Sequence, residues 1–131
     1  VRELAKDQGG KPEATIWFDG VKLPVTEAAR VNAMLSDAAA SDDSDLRNVA
    51  HTGTTVCATG LAIGERMGAT GEELLTAIVT GYEAAGRIGD ALGADRQGFH
   101  ASVIVAFTGW VVSSRTKLWS ILSTSTGRRF R

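Results

Sequence analysis

An all-α, helical bundle-like fold with a short extended arm near residues 14–18 is predicted by three features of this 131-residue sequence. Alanine-rich stretches carry apolar residues at steps of three and four, the spacing of one helix face. Glycines and hydroxyl or acidic capping residues break these stretches at helix-length intervals. One run alone, Ala14-Thr15-Ile16-Trp17-Phe18, has a β-like composition, and Asp19-Gly20 after it is a turn signal.

In chain order, Val1 to Lys6 reads as the end of a helix stopped by Gly9-Gly10. After the arm, Thr26 is placed to cap a helix opened by Glu27-Ala28-Ala29-Arg30, with Val31, Met34, Leu35 and Ala38 on one face. The stretch from Ser41 to Thr52 has no apolar period and reads as a loop. Gly53 to Met67 is helical again, and Gly60 and Gly64, four residues apart, predict a close crossing with another helix. Gly68 ends that helix. Thr70-Gly71-Glu72-Glu73 fits a capping box and opens the strongest helix of the sequence, which runs to about Leu92-Gly93. Its apolar residues are Leu74, Leu75, Ile78, Val79, Tyr82, Ala85 and Ile88, and Leu75, Ile78 and Tyr82 are expected to be buried in one interface. Gly98-Phe99-His100 is a connector, and Ala101 to Ser113 reads as a helix apolar on nearly all sides.

Residues 1–113 therefore read as one partial helical domain, and residues 114–131 as an atypical tail. Seven of the tail's 18 residues are Ser or Thr, and its apolar residues keep no period. A disordered tail and an altered reading frame both fit it. The charge shifts as well: residues 1–95 hold eight basic and fifteen acidic side chains, and residues 96–131 hold six basic and none acidic. The start at Val1 reads as that of a fragment or of an alternative start codon.

Composition narrows the function classes. With 44% apolar residues the chain can bury a core. A net charge of −1 argues against general attraction to nucleic acid or to a membrane surface. The longest apolar run is too short and too interrupted for a membrane span. A lone cysteine, Cys57, forms no internal disulfide, and with no secretory signal visible the expected compartment is the cytoplasm.

Chemistry concentrates around one loop. Asp42, Asp43 and Asp45 surround Ser44, but no Gly or distal Glu falls at the calcium-loop spacings, so no metal site is expected. His51 and His100 are the two histidines, each in a glycine-containing loop at a predicted helix start. Imidazole is the commonest general acid or base near neutral pH, and a helix N-terminus attracts carboxylates. Cys57 reads as core filler, with no basic neighbour to activate it.

The stretch from Glu27 to Leu92, "EAARVNAMLSDAAASDDSDLRNVAHTGTTVCATGLAIGERMGATGEELLTAIVTGYEAAGRIGDAL", together with the Gly98-Phe99-His100 connector, resembles the N-terminal helical domain of the MmgE/PrpD family. That family includes 2-methylcitrate dehydratase, cis-aconitate decarboxylase and iminodisuccinate epimerase. The resemblance covers roughly Ala14 to Val112. It implies a mostly helical domain joined to an α+β lid, commonly in a homodimer, and proton abstraction next to a carboxylate of a small polycarboxylic acid, without a cofactor. It implies that His51 and His100 are catalytic and that Asp42, Asp43 and Ser44 bind substrate, around a shared cleft. Members often show Asp-x-Asp-Asp-Thr; here Ala40-Ser41-Asp42-Asp43-Ser44 stands at that place, His51-Thr52 replaces His-Pro, and Ala101-Ser102 follows His100 where members have Pro-Thr. The family's lysines and lid have no counterpart in the sequence. The expectation is a lyase or isomerase fragment that is inactive alone, taking a small polycarboxylate and no nucleic acid or membrane partner, and forming a homo-oligomer. The alternative is a helical fragment with a structural or self-association role only.

Overall fold

The computed structural model describes residues 1–39, 42–46 and 50–92 of the chain. The connector with His100, the expected helix 101–113 and the tail 114–131 lie outside the described residues. Four helices and one two-stranded sheet make up the described part: α1 (Arg2–Gln8), β1 (Ala14–Thr15), β2 (Lys22–Leu23), α2 (Val25–Asp37), α3 (Thr52–Met67) and α4 (Gly71–Leu92). The mostly helical expectation holds. α3 is the central element, packed against α2, α4 and β1.

The expected arm is half of a hairpin. β1 pairs antiparallel with β2 in the register Ala14 to Leu23 and Thr15 to Lys22. The turn between them places Phe18 at φ 66°, in the left-handed region, and leaves the residue 91% exposed. The hairpin is tied to both neighbouring helices by side chains. Asn32 of α2, fully buried, accepts from the Trp17 amide at 2.9 Å and donates to the Thr15 carbonyl at 2.9 Å. Glu65 of α3 accepts from the Thr15 amide and hydroxyl, each at 2.7 Å, and pairs with Lys22 at 2.8 Å. Lys22 and then the Thr15 hydroxyl favour its charged form and hold its pKa down at about 2.

α2 begins one residue before the expected cap. Pro24 is its N-cap and offers no side-chain hydrogen bond. Glu13, on the segment leading into β1, reaches over and accepts from the Val25 amide at 3.2 Å, so a distant carboxylate takes the place assigned to Thr26. The buried face of α2 is Val25, Ala28, Val31 and Asn32 rather than Val31 with Met34 and Ala38; Met34 is 47% exposed. The face turns because α2 must meet the hairpin as well as α3. Ala5, Ile16, Leu23 and Val31 form one core cluster, and Ala14, Val25, Ala28 and Ala62 a second.

α3 ends on Gly68 in the left-handed conformation, and α4 starts on the expected capping box. Thr70 Oγ1 accepts from the Glu73 amide at 3.3 Å, while Glu73 accepts from the Thr70 amide at 2.6 Å. At Gly64 the packing of α3 is looser than the close crossing expected there. Gly64 is buried, yet an added Cβ there would lie 3.8 Å from Ala69 and Leu74, which is ordinary contact.

The expected buried stripe of α4 is also corrected. Ala77, Gly81, Ala85 and Gly89, four residues apart, are buried, and Ile78 is half-buried against Val56. Leu75, Val79 and Tyr82 are 64%, 66% and 37% exposed. Small residues let α4 lie close to α3, so the face with the larger side chains is turned outward. Among the described residues, no helix is long and apolar enough to cross a membrane.

Candidate functional site

The loop after α2 is closed on itself by a bridge between Asp45 and Ala50. The Asp45 amide donates to the Ala50 carbonyl at 2.9 Å, and the Ala50 amide donates back at 3.3 Å. This closure carries residues 42–44 to the N-terminus of α3, where His51 is the N-cap. The His51 side chain does not cap the helix; its carbonyl accepts from Thr54 Oγ1 at 2.8 Å, which fixes the backbone beneath the ring.

Asp43 fastens the loop to the helices. Its Oδ1 accepts from the Gly53 amide at 3.0 Å, an open donor of the first turn of α3. Its carboxylate also accepts from the Tyr82 hydroxyl of α4, and that hydroxyl hydrogen-bonds Cys57 of α3 in turn. Loop, α3 and α4 therefore meet at one carboxylate. Burial first, then the Asp43 hydrogen bond, push the Tyr82 phenol far above its usual range. Burial, then the Asp43 charge, raise the Cys57 thiol, so this cysteine is disfavoured as a thiolate. Gly53 has no room for a side chain: a Cβ would overlap Asp43 Oδ1 and stand 2.5 Å from Tyr82 Oη.

Asp42 and Ser44 flank that anchor and meet His51. Asp42 Oδ2 lies 2.8 Å from His51 Nδ1, and Ser44 Oγ lies 3.4 Å from the same nitrogen. The Asp42 side chain is only 10% exposed, whereas that of His51 is 52% exposed. Oδ2 itself is out of contact with solvent and, among the described residues, accepts no hydrogen bond, although His51 Nδ1 lies 2.8 Å away. Chemically, the cluster offers a half-exposed imidazole backed by a buried carboxylate, with a hydroxyl beside it. Among the described residues, no three His, Cys, Asp or Glu side chains are arranged to hold a metal ion.

Asp42, Asp43, Ser44 and His51 are thus brought together, while His100 lies outside the described residues. Sequence reasoning missed Gly53 and the Tyr82 hydroxyl. A glycine in the first turn of a helix, directly after a histidine and an acidic loop, was the available signal for the first. The second had none, because Tyr82 fitted the apolar period of α4. A separate cleft of about 320 Å³ is lined by Trp17, Leu61, Ala69 and Leu74 among others, and by none of Asp42, Asp43, Ser44 and His51.

No curated protein and no solved structure matches the chain. The family model of the MmgE/PrpD N-terminal domain matches residues 1–117. With most of its length inside that match, and with the mostly helical fold expected of such a domain, the chain belongs to the MmgE/PrpD family.

Proposed function

We propose that this chain is the N-terminal part of a cofactor-independent lyase or isomerase of the 2-methylcitrate dehydratase type, which removes a proton next to a carboxylate of a small polycarboxylic acid. The observation that carries the reading is the His51 imidazole, half-exposed at the N-cap of α3 and 2.8 Å from Asp42, in a chain of this family. A base that is solvent-accessible on one side and backed by a carboxylate on the other suits proton abstraction from carbon. His100 is the second proposed acid or base, and Ser44 the hydroxyl that meets the substrate. Asp42 and Asp43 complete the wall of the pocket. The anions are drawn to the positive end of α3. The same reading puts the protein in the cytoplasm as a homo-oligomer, for which the exposed Leu75 and Val79 side chains of α4 provide apolar surface to bury.

The test is titration of the isotope-labelled chain with 2-methylcitrate and with cis-aconitate. Both acids are expected to shift the imidazole resonances of His51 and His100, while a monocarboxylate of similar size is not. Unmoved histidine signals in both titrations would overturn the reading. Turnover by residues 1–131 alone is expected to fall far below that of a full-length relative, because proton abstraction needs its partners positioned together. Turnover equal to that of a full-length relative, lost in His100→Ala, would show instead that the helical domain suffices.

A further inference from the structure

We propose that Asp42 is a positioning residue for His51: its buried carboxylate keeps the proton of the neutral imidazole on Nδ1 and leaves Nε2 as the basic nitrogen. The proposal rests on the functional reading above and assigns Asp42 a role through His51 rather than through the substrate.

The carboxylate is placed by a framework that does not involve the imidazole. The Asp45–Ala50 bridge closes the loop, and Asp43, next in the chain, is held by the Gly53 amide and the Tyr82 hydroxyl. Asp42 is therefore delivered to its position whichever way the His51 ring turns. Its Oδ2 is shut off from water and, among the described residues, has no hydrogen-bond donor, which is a costly state for a carboxylate oxygen. Among the described residues, the group within reach is His51 Nδ1 at 2.8 Å. A neutral imidazole has one N–H to place. With the proton on Nδ1, that group becomes the missing donor after a small rotation of the half-exposed ring. With the proton on Nε2, the Nδ1 lone pair would face a buried carboxylate oxygen at hydrogen-bond distance, and the two would repel. Ser44 Oγ touches the same nitrogen at 3.4 Å, so it is the weaker influence. Which ring nitrogen keeps its proton is set by the hydrogen bond that the other one makes. A general base also needs its free nitrogen fixed before the substrate arrives.

The experiment reads the tautomer directly. Imidazole nitrogen-15 shifts of His51 are recorded in the 131-residue chain at about pH 9, above the ordinary titration range of histidine. In the wild type the Nδ1–H form is expected to exceed the Nε2–H form by about tenfold or more, as for a hydrogen bond to a charged group. In Asp42→Asn, whose amide can either donate or accept, that excess should collapse. Ser44→Ala should keep it within about twofold, since a neutral hydroxyl at the edge of bonding range contributes little. A predominant Nε2–H form in the wild type overturns the proposal without any variant. An unchanged ratio in Asp42→Asn, or a collapse caused by Ser44→Ala alone, overturns it as well. No substrate enters this measurement, so its failure leaves the carboxylate titration standing, and failure of that titration leaves the tautomer result standing.

Discussion

The hairpin and α2 on one side and α4 on the other bury their residues by opposite rules. Around the hairpin, the large side chains go inward: Ile16, Val31 and Leu23 are buried, and the polar Asn32 among them is satisfied at both ends of its amide. On α4 the buried positions are Ala77, Gly81, Ala85 and Gly89, and larger residues such as Leu75 and Val79 face out. The difference shows what apolar periodicity does and does not encode. Steps of three and four identify a helix. They do not choose between two neighbouring stripes when one consists of small residues that permit a close approach and the other of bulky ones.

The largest effect is expected at Ile16. Its side chain is fully buried between the hairpin and α2, so Ile16→Ala removes methylene contacts and leaves a cavity that anchored neighbours cannot readily collapse into. A loss of about 2–5 kcal/mol is expected from chemical denaturation. A loss below about 1 kcal/mol would erase the contrast, because the hairpin half would then be no better packed than the outer face of α4.

Gly53→Ala comes next and acts where the two regimes meet. The added methyl overlaps Asp43 Oδ1 and crowds Tyr82 Oη, so one or both must move. Overpacking of this kind costs about 1–3 kcal/mol. The readout is sharpened because Tyr82 is the single tyrosine of the chain. Its phenol is raised by burial and by the Asp43 hydrogen bond, so separating the two should bring its ultraviolet titration down toward the ordinary tyrosine range. A titration unchanged from that of the wild type would mean that the junction tolerates the methyl without opening.

These sites also show how much was legible in advance. Local signals are legible: the Thr70–Glu73 capping box, the Gly68 stop and the placement of His51 at a helix start each depend on residues close in sequence. What the sequence hid depends on distant partners. Lys22-Leu23 is too short to announce itself as the partner of β1, and the Glu13 bond to Val25 spans the whole hairpin. Within the site, the acidic loop and His51 were legible as residue types. The division of labour between Asp42 and Asp43 was not, since it follows from which carboxylate reaches Gly53 and Tyr82 and which reaches His51.

The smallest effect is expected at Leu75, one of the three residues of α4 that the apolar period places in a buried interface. Leu75 is 64% exposed, so truncation to alanine removes little buried surface and opens no enclosed cavity. Alanine is also the better helix former, which offsets part of the lost contact. The net change for Leu75→Ala should stay within about 0.5 kcal/mol, the usual range for surface substitutions. The measurement is an equilibrium denaturation midpoint at two protein concentrations, compared with the wild type. A loss of about 2 kcal/mol or more would show that this face is covered in solution. Its dependence on protein concentration would then identify the cover: a loss that grows with concentration points to a second copy, and a constant loss to residues of the same chain. Either outcome would make the outward stripe of α4 a packed surface, and the contrast with the hairpin half would be one of partner rather than of burial.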